Sequence, residues 1–399
     1  MSWRKLLVIA GLLISYLSML PVQTAAESNT IHKHQISEFT LEPKELPAKV
    51  PRFAYDSGRV FEYPDAVRGI YVTGHSAGAS RWNTLVDLVD STELNAMVID
   101  IKDDWGNVTY KLPEDHPNAD ISRNYIKDPV EMMDTLEEKQ IYPIARIVVF
   151  KDSVLAEKRP DLSFIDGEKV WKNGREESFV NPFMKEVWDY NIDIAIEAAK
   201  LGFQEIQFDY VRFPEGFEKR ADDFKYGLGE YADLEEDDVQ KRVAAVSDFV
   251  AYAKEKLANY GVQVSVDIFG YTATIPEAPG IGQNFTKISE NVDVISSMIY
   301  PSHWTPYFGI AKPDLEPYKL VREYAKVENE VLGKIENPPV SRPWLQNFTA
   351  SYLGKGNYKE YTEAEIEAQI KALYDEGIQE YLLWNPSNVY FPDADYTPE

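Results

Sequence analysis

The sequence has no cysteine among its 399 residues and only five histidines. The missing thiols exclude disulfides, thiolate nucleophiles, thiolate metal ligands and lipid attachment at an N-terminal cysteine. His116 and His303, in the later part of the chain, belong to no closely spaced H-x-x-x-H pair of the kind that holds zinc. The sequence therefore predicts neither a metal site nor a cofactor.

Basic residues are also few, with 41 Lys and Arg against 66 Asp and Glu, which gives a formal net charge of −25. A phosphate backbone is bound by basic patches, so this balance argues against a nucleic-acid partner. It also disfavours electrostatic docking on an anionic membrane. If the protein binds a polymer, its negative charge favours a neutral or cationic polymer over an acidic one.

A long apolar run occurs at the N-terminus. Arg4 and Lys5 precede the apolar residues 6–20, and the small residues Ala25 and Ala26 follow. This order is typical of a secretory signal peptide, so we expect residues 1–26 to be removed and the protein to be secreted or held at the cell envelope. The alternative is an uncleaved membrane anchor, for which the run is short. Residues 27–65, interrupted by several prolines, predict a linker or N-terminal extension.

From residue 66 onward, short strands alternate with helical stretches whose apolar residues recur every three or four positions. About eight such units in this length predict a (β/α)8 TIM barrel over residues 66–399, with long loops after the third and fourth strands. An open doubly wound sheet is the alternative, but the chain has no G-x-G-x-x-G and no Walker A motif. The predicted strands are Arg68–Thr73, Ala96–Ile101, Tyr142–Val149, Glu205–Val211, Val262–Ile268, Val292–Ile299, Trp344–Phe348 and Tyr381–Trp384.

The clearest functional signal is the stretch from Phe203 to Gly216, FQEIQFDYVRFPEG. It begins as a strand and ends at Pro214, with Asp209 at the C-terminal end of the strand and Arg212 just beyond it. A charged residue on a central strand is costly unless it is paired. Because parallel α/β folds place their chemistry at the C-terminal ends of strands, Asp209 is a candidate catalytic residue.

Strand alternation predicts polar side chains on the barrel side of several neighbouring strands, which core packing alone does not explain. Ile99 and Ile101 face outward in this arrangement. The residues predicted to face inward are Asp100, Lys102, Arg146, Gln207, Asp209, Ser265, Asp267, Met298, Tyr300, Trp344, Gln346 and Trp384.

Two of these carboxyl groups fit the needs of glycoside hydrolysis, which uses one ionised and one protonated carboxyl flanking the scissile bond. Asp209 and Asp267 end consecutive strands, and adjacent strands lie about 5 Å apart, close enough for a retaining mechanism. We assign Asp209 as the nucleophile, held ionised by Arg146 and Arg212, and Asp267 as the acid/base.

Other polar and aromatic residues near the strand ends are candidates for substrate binding. Asp100 and Asp103 are also the reserve carboxylates, and Lys102 is expected to pair with one of them or to donate to a sugar hydroxyl. The full set is Asp100, Lys102, Asp103, Arg146, Arg212, Tyr300, His303, Trp304, Gln346, Trp384 and His75.

Four runs carry a resemblance to a known family: GIYVTGHSAG at 69–78, VIDIKDDWGNVTY at 98–110, IQFDYVRFPEG at 206–216 and SMIYPSHW at 297–304. They resemble a bacterial secreted family of glycosyl hydrolase domains that is grouped with the TIM-barrel glycosidases. The resemblance covers residues 67–391 and implies a TIM barrel that hydrolyses a polysaccharide, from a cell wall or an exopolysaccharide. It implies no particular catalytic pair.

Two other functions remain open. The segment GHSAG at 74–78 matches the G-x-S-x-G nucleophile elbow, and Ser76 with Asp293 and His303 would make a serine esterase or deacylase. Only one predicted strand precedes Ser76, whereas an α/β-hydrolase builds several, which favours a glycine-rich loop at the barrel mouth. A barrel that binds carbohydrate without cleaving it would share the aromatic residues and the secretion. The sequence leaves the glycan, the linkage, the stereochemical outcome and the oligomeric state open.

Overall fold

Eight parallel strands form the centre of a computed structural model of the protein, which describes residues 54–398. Each strand pairs with the next along the chain, and the last pairs with the first, which closes the sheet into a barrel. The predicted (β/α)8 TIM barrel is therefore confirmed, and each predicted barrel strand is present to within two residues at either end. The strands are β1 Arg68–Val72, β2 Ala96–Lys102, β3 Tyr142–Val148, β4 Glu205–Asp209, β5 Gln263–Phe269, β6 Val294–Met298, β7 Trp344–Gln346 and β8 Tyr381–Trp384.

Both faces of the barrel strands are buried, which explains why they read as nearly continuous apolar runs. On β2, Val98 packs inside the barrel, whereas Met97 and Ile99 pack outward against the helices. Full burial of one such side chain stabilises the fold by about 1.5–3 kcal/mol. The apolar layer inside the barrel is formed by Val67, Ala96, Val98, Tyr142, Ile144 and Leu382.

The helices lie between successive strands, and their ends follow local sequence signals. Asp128 and Asp237 cap two helix starts by accepting hydrogen bonds from backbone N–H groups, and Gly202 ends another in the left-handed conformation, with φ at 112°. The helices are α1 Arg81–Ser91, α2 Pro129–Glu138, α3 Lys185–Leu201, α4 Asp238–Leu257, α5 Phe285–Ser289, α6 Pro317–Leu332 and α7 Glu363–Tyr374. Short helical turns at Gly74–Ala77 and Ser153–Lys158 precede α1 and α3.

Several short strands lie outside the barrel, and the sequence pattern did not predict them. Val108–Tyr110 and Ser122–Ile126 extend the sheet beside β2. The long loops after β3 and β4 pair with each other through Ile165–Asp166, Lys169–Val170 and Phe224–Lys225. These two loops therefore form one joined wall above the C-terminal ends of the strands. A further short strand, Val340–Ser341, pairs with β6.

A buried ion-pair cluster closes the opposite, N-terminal end of the barrel. The Arg342 guanidinium lies 2.7 Å from Glu205 and 2.8 Å from Glu380, and it also donates to the Tyr63 hydroxyl. Arg59, near the start of the described chain, forms a 3.0 Å salt bridge to Glu137 of α2. The described part of the predicted linker, residues 54–65, therefore packs on the barrel and helps to cover its base.

The predicted signal peptide, residues 1–26, lies outside the described residues, as does most of the predicted linker. Residues 54–398 belong to one compact unit. Within these residues, none of the helices combines the length and the apolar character that crossing a bilayer requires.

Candidate active site

A cavity of about 390 Å³ opens where the barrel strands end. It brings together seven residues that the sequence nominated, which come from separate strands and loops. These are Arg146, Asp209, Arg212, Asp267, Tyr300, His303 and Trp384. The remaining lining residues are Asp104, Arg175, Tyr210, Glu215, Phe269, Met298 and Trp344.

Asp209 is the last residue of β4, and its carboxylate is held from two sides. Its Oδ2 accepts hydrogen bonds from Arg146 Nε at 3.0 Å and Nη2 at 2.6 Å, and its Oδ1 accepts from the backbone N–H of Tyr210 at 2.6 Å. Tyr210 has a left-handed backbone, with φ at 52°, which turns the chain sharply away from the strand. The three donors fix the orientation of the carboxylate and suit its ionised form.

Arg146 of β3 is the centre of this cluster and is almost completely buried, at 1% exposure. Its guanidinium contacts three carboxylates: Asp100 at 2.7 Å, Asp104 at 2.8 Å and Asp209 at 2.6 Å. It also lies over the ring of Trp384, 5.4 Å from the centroid. One buried cation therefore balances several acids at the floor of the cavity, as a buried charge requires.

Two of the three carboxyl groups that contact Arg146, those of Asp100 and Asp104, have pKa values shifted in opposite directions. Burial raises the pKa of Asp100 to about 6, against the charge of Arg146 and the hydrogen bond from the Tyr71 hydroxyl. Partial burial also raises the pKa of Asp104, but the charges of Arg146 and Lys151 outweigh it and hold that pKa well below its usual range. Asp104 is therefore a fixed negative charge at the cavity, whereas Asp100 takes up a proton in mildly acidic solution.

Asp267 lies on β5, the strand next to that of Asp209. The parallel register places Ser265 opposite Gln207 and Val266 opposite Phe208, so the two aspartates follow side by side. Burial and the nearby charge of Asp209 raise the pKa of Asp267 well above its ordinary value, against Arg146 and a hydrogen bond from Trp344. Asp267 is thus favoured as a neutral acid beside a carboxylate that is paired with a cation.

Aromatic side chains form the wall of the cavity beside these acids. Tyr71 stacks on Trp384 with ring centroids 4.0 Å apart, and Trp384 is tilted against Tyr300 at 6.4 Å. His303 lies edge-on to Tyr300 at 5.3 Å, and its Nδ1 is 3.1 Å from the Ser302 hydroxyl. Flat rings beside paired carboxyl groups give a surface on which a sugar ring can stack.

The predicted roles of Lys102 and Asp103 at the cavity are wrong. A bulge in β2 places Asp100 opposite Arg146 but Lys102 opposite Ile147, so Lys102 faces outward. Its ammonium is fully buried, 2.6 Å from Asp152 and 2.7 Å from the Val148 carbonyl. Asp103 instead accepts hydrogen bonds from three backbone N–H groups of the turn at 105–107. The acid of this loop that reaches the cavity is Asp104.

Four further predicted substrate contacts do not line the cavity either. Asp100 lies buried beneath it, bonded to Arg146 and the Tyr71 hydroxyl. The buried Gln346 amide donates to Asp314 at 2.9 Å and accepts from the Ser302 N–H, so its polar atoms are already used. Trp304 packs against Tyr324 behind the cavity. His75 is exposed and lies against a tyrosine on the strand Ser122–Ile126.

The residues of the proposed serine elbow do not assemble into a triad. The Ser76 hydroxyl accepts a hydrogen bond from Thr73 at 3.1 Å. Asp293 precedes β6 and bonds the backbone N–H of Val264 at the start of β5, at the N-terminal end of the barrel. His303 lies at the opposite end, beside Tyr300. The esterase interpretation with these three residues is therefore wrong.

Sequence reasoning missed Phe269, the last residue of β5, and four residues that lie in loops rather than at inward strand positions: Asp104, Arg175, Tyr210 and Glu215. The strand-alternation signal ends with the strand, so it gives no direction for such side chains. No group of three or more His, Asp or Glu residues suited to holding a metal ion occurs in the described part of the chain.

Comparisons with known proteins agree with this fold. The chain is similar in structure to the glycoside hydrolase domain of PgaB (BpsB) from Bordetella bronchiseptica, at 15% identity, covering 80% of this chain and 94% of that one, with a TM-score of 0.54. It is also similar to a β-galactosidase from the psychrophilic Marinomonas ef1, at 12% identity, 80% and 54% coverage and a TM-score of 0.53. At these identities the likeness shows the fold alone.

A hypothetical protein from Ruminiclostridium thermocellum ATCC 27405 is 33% identical over 50% of this chain and 96% of its own, with a TM-score of 0.43. No curated protein matches the chain. The model of one protein family, described as "Putative glycosyl hydrolase domain", matches residues 69–390. This chain, a TIM barrel with paired acids at its mouth, therefore belongs to that glycosyl hydrolase domain family.

Proposed function

We propose that the protein hydrolyses the glycosidic bonds of a polysaccharide, with Asp209 as nucleophile and Asp267 as acid/base. The observation that carries this proposal is the contrast between two neighbouring carboxyl groups in one cavity. Asp209 is held by the Arg146 guanidinium, whereas Asp267 is 2% exposed and accepts a hydrogen bond from the neutral Trp344 indole. Such a pair supplies the ionised and the protonated group that the reaction needs.

In the first step, Asp267 transfers its proton to the glycosidic oxygen while Asp209 attacks the anomeric carbon. The bond to the leaving sugar breaks, and a covalent glycosyl ester of Asp209 forms. In the second step, Asp267, now ionised, takes a proton from water, whose oxygen attacks the anomeric carbon and releases Asp209. Neighbouring strands lie about 5 Å apart, which favours this retaining course over an inverting one.

The other groups of the cavity have supporting roles in this proposal. Arg146 keeps the Asp209 carboxylate in place, and its guanidinium also forms salt bridges with Asp100 and Asp104. The rings of Trp384 and Tyr300 stack on the sugars next to the cleavage point.

We also propose that the reaction takes place outside the cytoplasm, on a cell-wall polymer or an exopolysaccharide. The support is the N-terminal order of basic, apolar and small residues, Arg4 to Ala26. Mass spectrometry of the N-terminus of the protein recovered outside the cytoplasm tests this part of the proposal. We expect the mature chain to begin close after Ala26, and a chain that still carries residues 1–26 contradicts cleavage.

The experiment for the activity is a panel of cell-wall polysaccharides and exopolysaccharides incubated with the full chain, with release of reducing ends as the readout. Wild type is compared with Asp209→Asn and with Asp115→Asn, a matched change at an exposed aspartate outside the cavity. Product from wild type and Asp115→Asn, but not from Asp209→Asn, supports the proposal. Equal product from all three contradicts it. No product from wild type, with glycan retained on the protein, indicates a carbohydrate-binding barrel.

A further inference from the structure

A second cavity, of about 560 Å³, adjoins the active site. The two share Arg175, Tyr210, Arg212 and Glu215 in their linings. We call the second cavity the basic cleft, because five basic side chains line it and only two acidic ones. The basic residues are Lys151, Lys172, Arg175, Arg212 and Arg220, and the acidic ones are Glu177 and Glu215. The chain as a whole has the opposite balance, with 41 basic and 66 acidic residues.

The positive charge of the basic cleft is only partly neutralised by its own residues. The Lys151 ammonium forms salt bridges with two acids, Asp104 at 2.7 Å and Glu177 at 3.3 Å. Arg212 has a single acidic partner, Glu215, at 3.2 Å, and the side chain of Glu215 is 72% exposed. Arg175 is exposed, and among residues 54–398 no acidic side chain forms a salt bridge with it. Lys172 and Arg220 are paired with Glu157 and Asp166, which lie outside the cleft lining. Arg212 is buried and also donates to the Phe213 carbonyl. Among the described residues of the lining, Arg175 is therefore the cation that is free to bind a ligand directly, and Arg212 adds positive charge beside it.

The loop that carries Arg175 is held in a defined shape. The Asn173 side chain accepts hydrogen bonds from the backbone N–H groups of Arg175 and Glu177, at 2.8 and 3.0 Å, and donates to the Glu177 carboxylate at 2.8 Å. Glu177 is bonded to Lys151, which binds Asp104, itself a partner of Arg146. A chain of polar contacts therefore connects the Arg175 turn to the cluster around Asp209, so the turn is positioned before any ligand binds.

Aromatic rings provide the apolar part of the same cleft. Trp171, Phe179 and Tyr210 line it, and the Arg212 guanidinium lies over Tyr210 at 4.8 Å and Phe179 at 5.8 Å from the ring centroids. Packing on these rings fixes the position of the guanidinium, whose N–H groups donate to the Phe213 carbonyl and the Glu215 carboxylate. Rings beside fixed cations suit a sugar that carries a negative group.

We propose that the basic cleft is a subsite for an anionic sugar of the substrate polymer, whose carboxylate or sulfate group is bound by Arg175 beside the positive charge of Arg212. The inference rests on the proposed hydrolase function, because it places the anionic sugar beside the bond that Asp209 and Asp267 cleave. Guanidinium groups bind such oxyanions through paired, charge-assisted hydrogen bonds. The net charge of the whole chain favoured a neutral or cationic polymer. The local charge of the basic cleft favours an anionic one instead, and the proposal follows the local charge.

The test is binding, measured by calorimetry on the full chain with matched pairs of oligosaccharides. Oligomers of polygalacturonate and of hyaluronan are compared with their methyl esters, and oligomers of a sulfated galactan with the desulfated form. Each pair differs in charge and keeps the sugar backbone. We expect at least one charged member to bind about tenfold more tightly than its neutral form, the size of one charge-assisted hydrogen bond. The pairs also distinguish a carboxylate from a sulfate.

Variants of Arg175 connect this preference to the basic cleft. We expect Arg175→Gln to remove most of the roughly tenfold preference for the charged member, and Arg175→Glu to reverse the preference, because its carboxylate repels the anionic sugar. Lys287→Gln removes the same charge from an exposed position on α5 and should change neither affinity. Because Arg175 is exposed on a turn, both of its variants are expected to fold, which circular dichroism checks.

The outcomes separate this inference from the proposed function. If wild type binds every charged oligomer and its neutral form equally, or if Arg175→Gln behaves as Lys287→Gln does, the anionic subsite is refuted, whatever polymer is cleaved. If Arg175-dependent binding is found and no polymer is hydrolysed, the subsite stands and the hydrolase proposal fails.

Discussion

The indole N–H of Trp344 donates a hydrogen bond of 2.7 Å to the Asp267 carboxyl across the mouth of the barrel. Trp344 is the first residue of β7, so the contact crosses from one strand to another two places away in the barrel. Among the described residues, no basic side chain forms a salt bridge with Asp267. The acid is therefore oriented by a neutral donor, which is the arrangement expected of a group that must hold and release a proton.

The first prediction concerns this hydrogen bond. The bond lowers the pKa of Asp267, against burial and the charge of Asp209, which raise it. Trp344→Phe removes the donor and should raise that pKa further, so the alkaline limb of kcat/KM moves to higher pH. We also expect activity at the optimum to fall by about tenfold, since one donor that orients the acid is lost. A pH–rate profile that keeps its alkaline limb, or moves it to lower pH, contradicts the assignment of Asp267.

The second prediction concerns Arg146. Arg146→Gln leaves Asp100, Asp104 and Asp209 without their common cation, so the acid limb of activity should move to higher pH and kcat should fall by at least about a hundredfold. Breaking a buried ion-pair cluster from one side should also lower the unfolding free energy by about 3–5 kcal/mol, measured by urea denaturation.

Arg342→Gln is the matched control for Arg146, because it breaks a similar buried cluster at the other end of the barrel. We expect a similar loss of stability, but an unchanged pH profile for the protein that remains folded. If both variants change the pH profile in the same way, Arg146 acts on stability alone.

The third prediction follows from the raised pKa of Asp267, whose main cause is burial. Above about pH 4 the unfolded chain releases a proton that the native protein keeps, so wild-type stability falls as the pH rises toward the native pKa. Asn at position 267 does not titrate. Asp267→Asn should therefore be more stable than wild type at neutral pH, with a gap that widens by up to about 1.4 kcal/mol per pH unit. Urea denaturation of both proteins between about pH 4 and pH 8 measures this difference in unfolding free energy. A difference that does not change with pH would show that the pKa of Asp267 is not raised in the native protein.

The fourth prediction is that Ser76→Ala changes hydrolysis by less than about twofold, the size of a surface substitution. Ser76 bonds only to neighbours within its own loop, and Asp293 lies at the other end of the barrel. Initial rates on the same polymer measure the effect. A loss as large as that of Asp209→Asn would restore the serine mechanism.

The barrel strands could be predicted from the sequence almost residue by residue. Strands that are buried on both faces, such as β2 and β3, require short apolar runs, and the turns between them are marked by Gly, Pro and Asp. The same alternation correctly placed Arg146, Asp209 and Asp267 inside the barrel, because regular strands keep their two faces separate.

The prediction of the site failed where the backbone departs from a regular strand. The bulge after Asp100 reverses the direction of Lys102, and the turn capped by Asp103 brings Asp104 into the cavity instead. Nothing in the residue types distinguishes these neighbours. Gln346 was predicted to face the barrel interior and to contact the substrate, but its amide is satisfied by Asp314, a residue on the loop before α6. Loop contacts such as Arg175 depend on the pairing of two distant loops, which local patterns do not encode.

In the proposed mechanism Asp209 is the nucleophile and Asp267 is the acid/base. The most direct test of these two roles is how the activity of each variant depends on the leaving group of the substrate. The substrates are glycosides of the sugar released from the cleaved polymer, with good aryl leaving groups, compared with the polymer itself. We expect Asp267→Asn to lose about a hundredfold to ten-thousandfold on the polymer but to keep much of its activity on the aryl glycosides, which need no acid. Asp209→Asn should be inactive on both, with Asp115→Asn like wild type. Equal losses for both variants on every substrate, or the reverse pattern, would contradict the assigned roles.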